Sequence, residues 1–175
     1  MGLLSKLRSF LYRRQTTAYF WNLRQKYLNS RCRLTRWYYF QKHQRLMEKC
    51  CASIPVTAQI AGVPILPHGL SGIYISAGAK LGKNCVLFHQ VSIGSNTLPG
   101  SKGQGFPTLG DNVYVGAGAK IIGGITIGNN VRIGANCVVT ENVPDNATVV
   151  MERPRIIVKD APQDNTFIPQ YRMQP

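Results

Sequence analysis

Between residues 54 and 144 the apolar positions recur every six residues. Hexads that open on a branched aliphatic start at Ile54, Ile60 and Leu66, continue from Ile75 through Leu81, Leu87 and Ile93, and resume at Leu109 in steps of six to Val139. The fifth place of nearly every hexad is small or apolar, as at Ala58, Ala79, Cys85, Val91, Ala119 and Cys137, and the second place is often Gly. A period of six fits neither an amphipathic helix, at 3.6, nor an alternating strand, at 2. It is the period of a hexapeptide parallel β-helix, in which each hexad makes one side of a triangular coil. Aliphatics then stack in columns inside, and Gly, Asn and Asp turn the corners because they tolerate positive φ. A buried Ile or Leu contributes about 1.5–3 kcal/mol, so a dozen stacked residues hold such a coil without another core.

Two interruptions break the count: three extra residues between Gly69 and Tyr74, and about ten within 95–108. The second, SNTLPGSKGQGFPT, is rich in Gly, Pro and Ser and predicts a loop that leaves the coil and returns; long loops in compact repeats usually carry function. The chain divides into a helical segment over 1–52, a β-helical domain over 53–152 and an extended tail over 153–175. The leader has no Pro and is rich in Leu, Arg, Lys, Gln and Tyr, which predicts helices, with breaks near Gln15-Thr16-Thr17 and Asn29-Ser30 and a second helix over 34–51. After Val139 the period fades, and 151–159 predicts one last strand.

Charge changes the picture of the leader. Formal net charge is +14, and residues 1–52 carry twelve of the 21 Lys and Arg against one acid, Glu48. Trp37, Tyr38, Tyr39 and Phe40 stand among those cations. Nucleic acid is not expected, because no groove-reading motif or stacking platform is present. Two readings stay open: helices that pack on the end of the coil, covering a sticky edge, and an interfacial helix in peripheral contact with a membrane. No run of about 18 apolar residues predicts a transmembrane helix, and no signal peptide is read. Five cysteines without a C-x-x-C pair suit a reducing cytoplasm, which places the protein there, at the inner face of the membrane if the leader docks.

Candidate chemistry rests on three histidines. His43 lies in the leader. His68 and His89 are each the third residue of a hexad, and their hexads are three apart, one full coil. Their backbones should stack about 4.8 Å apart on one face. Equivalent places higher in the column are Ala117 and Ala135. The column therefore offers two proton-transfer groups below a bare track for an elongated ligand, and histidine is a fitting general base near neutral pH.

Leu66-Pro67-His68-Gly69, Phe88-His89-Gln90-Val91-Ser92-Ile93-Gly94, Val115-Gly116-Ala117-Gly118-Ala119-Lys120 and Val131-Arg132-Ile133-Gly134-Ala135 resemble the hexapeptide-repeat acyltransferases, of the serine acetyltransferase type and of the related polysaccharide O-acetyltransferases. The resemblance implies an all-β left-handed parallel β-helix, against the usual right-handed crossover, with an α-helical N-terminal segment. It also implies a homotrimer with active sites between subunits and acetyl-CoA as cosubstrate; no metal is expected. His68 falls on the catalytic base. Ala117 and Ala135 fall on the track for CoA, Ser95 near its thioester end, and Arg132 on a contact to its phosphates. His89 positions the acceptor or supports the base. Serine acetyltransferases carry Asp before the catalytic His, where this chain has Pro67, and an Arg-His pair before the Pro of the returning loop, where it has Gly105-Phe106. The Asp that orients the base aligns loosely with Ser53. Those lost charges point to a neutral sugar hydroxyl in polysaccharide biosynthesis as acceptor, with serine O-acetylation of cysteine biosynthesis as the alternative. Two other classes are a metal-dependent β-helix enzyme, for which a third coil histidine is lacking, and a membrane-surface scaffold, which would not bind acetyl-CoA.

Overall fold

In the computed structural model, which describes residues 3–153, 155–160 and 162–163, with side chains from residue 16 onward, every hexad from Ile75 to Val139 contributes one short strand. The strands stack into three parallel walls. The first wall holds β1 (Gln59–Ile60), β3 (Lys80–Leu81), β6 (Thr108–Leu109) and β9 (Thr126–Ile127). The second holds β4 (Val86–Leu87), β7 (Tyr114–Val115), β10 (Arg132–Ile133) and β12 (Thr148–Val149). The third holds β2 (Tyr74–Ile75), β5 (Ser92–Gly94), β8 (Lys120–Ile122) and β11 (Val138–Val139). Ile–Ile and Leu–Leu partners such as Ile75↔Ile93 and Leu81↔Leu109 sit in register, one coil above the next. Their side chains point inward and are buried, Leu87, Ile93, Ile121, Ile127 and Ile133 completely. The small fifth places, Ala79, Cys85, Val113, Ala119 and Val131, are fully enclosed because they fill the tapering corners.

The corner between the first and second walls is turned by a ladder of asparagines. Asn84, Asn112, Asn130 and Asn146 take φ of 54°, 57°, 57° and 61°, a left-handed conformation that Asn adopts more cheaply than most side chains. Asn112 Nδ2 donates to Asn130 Oδ1 and Asn130 Nδ2 to Asn146 Oδ1, each at 3.0 Å. The corner between the third and first walls releases the long loop. It is a small hairpin: Asn96 and Gly105 exchange both backbone hydrogen bonds at 2.9–3.0 Å. Gly124 N–H donates to the Gly103 carbonyl at 2.8 Å and ties the hairpin to the next coil. The Phe106 ring lies against Gly78, where an added Cβ would stand 2.5 Å from its Cγ, so only glycine fits beneath it.

Two helices close the lower end. α1 (Leu3–Asn29) and α2 (Arg33–Lys49) form an antiparallel hairpin. Phe20, Trp21 and Leu23 of α1 and Leu46 and Met47 of α2 join the core beneath Ile54 and Ala58. Arg24 donates from its guanidinium to the Ala58 carbonyl at 2.6 Å, satisfying a backbone group at the open end of the coil. Two details differ from the sequence expectations. The helix does not break at Gln15-Thr16-Thr17, since α1 runs through it; Thr lowers helix propensity by only tenths of a kcal/mol, and burial of the next turn outweighs that. No strand forms in the described part of 151–159. The last pairing is β12 on β10, and Ile156, Ile157 and Val158 beyond it are exposed.

Candidate active site

The corner between the second and third walls carries the histidines. Ile65 bridges Val86, Val86 pairs with Tyr114 and Tyr114 with Arg132. Three residues beyond each partner stand His68, His89, Ala117 and Ala135, in one column. Gly118 N–H donates to the His89 carbonyl at 3.0 Å, and Asn136 N–H to the Ala117 carbonyl at 2.8 Å, which fixes the spacing of successive turns. Gly116 has no room for a side chain; a Cβ there would lie 2.7 Å from the Ala135 nitrogen. The small residues at this corner thus follow from how closely the coils approach.

The two imidazoles are 4.6 Å apart between ring centroids, inclined by 28°, with Nδ1 to Nδ1 at 2.6 Å. One Nδ1 must donate and the other accept. Phe88 meets His68 edge-on at 5.4 Å and Tyr114 at 5.2 Å, so an aromatic wall borders the pair. Lys120 reaches from β8 to the Gln90 carbonyl at 2.7 Å and sets an ammonium beside the His89 turn. That ammonium has two further N–H donors.

The structure brings His68, His89, Ala117 and Ala135 together. Arg132 lies on the adjoining second wall, exposed, one coil above Tyr114. Ser95 follows β5 at the loop corner, the far end of the third wall from the histidines. Ser53 bridges Tyr74 low on the third wall, and the hydrogen bond that holds His68 comes from His89. Sequence reasoning missed Phe88, Tyr114 and Lys120. Wall register, in which residue 86 stacks on 114 and 92 on 120, is the signal that finds them. Among the described residues no group of three or more His, Cys, Asp or Glu could hold a metal ion. A separate cavity of about 660 Å³ lies between α2 and the first coil, where Tyr27, His43 and Met47 face residues 52–57.

Comparison with known proteins gives concordant results. Residues 106–141 match the family described as bacterial transferase hexapeptide (six repeats). Serine acetyltransferase of Mycobacterium tuberculosis is 35% identical over 140 residues, 74% of this chain and 59% of that protein. Serine acetyltransferase of Synechococcus elongatus is 40% identical over 108 residues, 59% of this chain and 43% of that protein. The crystal structure of Neisseria gonorrhoeae serine acetyltransferase in complex with serine superposes with a TM-score of 0.60 at 31% identity, covering 83% of this chain and 56% of that one. The chain thus spans about half the length of the relatives it matches. Its coil is a left-handed parallel β-helix preceded by helices. The expectation of a sugar acceptor is overturned: these relatives are serine acetyltransferases, one with serine bound. Pro67 and Gly105-Phe106 do lack the charges that suit an amino acid. A cation also reaches the histidine corner from the neighbouring strand, at Lys120, so the loop is not the sole source of charge.

Proposed function

Because the chain is a serine acetyltransferase-like member of the hexapeptide-repeat transferases, we propose that it transfers an acetyl group from acetyl-CoA to the hydroxyl of serine. The observation that carries this reading is the imidazole pair at the foot of the alanine track. His68 Nδ1–H donates to His89 Nδ1, which leaves His68 Nε2 with a free lone pair. That nitrogen takes the proton from the serine hydroxyl as the oxygen attacks the thioester carbonyl. His89 accepts throughout and stabilises the imidazolium that forms, the task a carboxylate performs in a catalytic triad. The tetrahedral oxyanion is held by backbone N–H groups beside the track. It collapses with cleavage of the C–S bond, and the imidazolium proton goes to the departing thiolate. O-acetylserine and free CoA result. The transfer is direct, since no Ser or Cys of the site stands beside a base that would activate it.

Ala117 and Ala135 leave the corner bare for the pantetheine arm, and Arg132 serves the CoA phosphates. Lys120 is the cation available to the serine carboxylate. Ser95 belongs to the thioester end of a site made with a second copy. The arrangement calls for a homotrimer in which the loop corner of one copy meets the histidine corner of the next. Thiols free at all five cysteines suit a reaction in the reducing cytoplasm.

Thiol release from acetyl-CoA, followed with serine and with a panel of sugars, tests the reading. Serine is expected to be the accepted substrate. His68→Ala should abolish release while CoA still binds by calorimetry. Normal turnover in that variant, or release with sugars alone, would overturn the assignment.

A further inference from the structure

The helical hairpin has two ends, and they differ. Its lower part is spent on the coil: Phe20, Leu23, His43, Leu46 and Met47 are buried there. Its turn end stands clear, and every residue over 31–38 is exposed. Leu34 is 76% exposed and Trp37 63%, with Leu28 beside the turn also exposed. Large apolar side chains at a free helix end are costly in water unless something receives them.

Charge at the same end has one sign. From Lys26 to Arg45 there are six Lys or Arg and no Asp or Glu. Several of these cations lie over aromatic faces: Arg36 over Tyr27 at 4.9 Å, Lys42 over Tyr38 at 4.9 Å, Lys26 over Tyr39 at 5.9 Å. A shallow notch of about 380 Å³ opens between the helices, lined by Tyr27, Arg33, Arg36, Trp37 and Phe40. Two guanidiniums and three aromatic rings suit a phosphate ester with an apolar body attached.

We infer that the tip of this hairpin docks on an anionic lipid surface. Arg33 and Arg36 engage headgroup phosphate at the notch, and Leu34 and Trp37 enter the boundary between headgroups and acyl chains. Leu34 and Trp37 stand outside the notch or at its rim and are largely exposed, which suits insertion into a penetrable surface. A second copy of the chain is disfavoured as occupant, because two such tips would bring like charges together. Lipid supplies the opposite charge, and each Lys or Arg near an anionic leaflet adds to the attraction. No described helix is long and apolar enough to cross the membrane, so the contact is a peripheral one. It is independent of the acetyl-transfer reading.

The protein carries its own reporter, since Trp21 is buried and Trp37 exposed. Tryptophan emission of the full chain is followed on adding phosphatidylcholine vesicles with and without phosphatidylglycerol, together with co-sedimentation. Expected are a blue shift and sedimentation with phosphatidylglycerol only. The shift should vanish in Trp37→Phe, which still sediments. Arg33→Ser with Arg36→Ser should weaken sedimentation by at least tenfold while thermal unfolding stays as in the parent. No shift with anionic vesicles, equal binding to neutral ones, or sedimentation insensitive to the arginine pair would overturn the inference. A shift produced by raising protein concentration alone, or by an oligonucleotide but not by vesicles, would overturn it in favour of those partners.

Discussion

Two Nδ1 atoms 2.6 Å apart cannot both carry a proton, and they are held there only if one does. The histidine pair therefore has opposite tautomers: one ring offers a basic Nε2, the other an Nε2–H. Which ring is which decides the chemistry. With His68 as base, His89 is the acceptor behind it. Removal by His89→Ala should lower kcat about a hundredfold and leave the KM for acetyl-CoA near its parental value. His89→Gln, which restores an acceptor oxygen, should recover part of the loss. Equal damage from both changes in a steady-state assay would mean that His89 meets the acceptor rather than His68. At this scale the sequence was informative where the repeat makes position predictable. Counting hexads is enough to stack residue 68 under 89 and both under two alanines. It missed Lys120, whose ammonium arrives from a different wall, and it pointed to the wrong acceptor, a sugar, because it weighed the charges absent at Pro67 and Gly105-Phe106 without that cation.

α2 carries a histidine with a different task. His43 is 1% exposed, 5.3 Å from the Phe20 ring, with Nδ1 near the Gln44 side chain. Burial pushes its pKa below the ordinary 6.5; contacts with Gln44 and the Ile54 backbone oppose the shift, and the Arg24 charge adds to it. The folded state thus keeps His43 neutral where the unfolded chain would protonate it. Below about pH 6.5 the unfolded state binds the extra proton, so stability falls as the pH drops through that value and is unaffected by this group above it. His43→Leu removes the proton uptake. Urea midpoints measured between about pH 5 and 7.5 should therefore decline less steeply toward acid in the variant; parallel declines would show that His43 contributes nothing. Elements were legible to the degree that their signal is local. Each hexad announces its own inward residue. The leader's helices were visible in composition, but the break expected at residues 15–17 was not real, because propensity is a weak term beside the burial of Phe20 and Trp21. The strand expected over 151–159 failed for the converse reason: Ile156, Ile157 and Val158 favour strand intrinsically, yet no pairing forms there.

Across the whole molecule, the residues assigned to one reaction occupy two corners. His68, His89, Ala117 and Ala135 share one; Ser95 and the 95–108 hairpin share another, at the opposite end of the third wall. A single copy folds these corners away from each other, so a site that uses both must draw them from two copies. Leu98 and Phe106 support this, because the hairpin exposes 66% and 50% of them to solvent in the single chain, a surface that a neighbouring copy would cover. On the proposed reading, cyclic symmetry would close the set, each copy giving its histidine corner to one neighbour and its loop to the other. The expected species in solution is three times the 19.4 kDa chain. Complementation tests the geometry more sharply than mass does. A His68→Ala chain and a chain in which residues 97–104 are replaced by a short Gly-Ser link should each be inactive alone. Co-expressed in equal amounts they form mixed trimers. Each site needs an intact histidine corner, with probability one half, and an intact loop from the next copy, again one half, so about a quarter of the parental activity should return. Recovery of that size follows only if the two corners come from different chains. Mixed trimers that stay inactive would mean that each chain builds its site alone, and would dissociate the loop from the chemistry at His68.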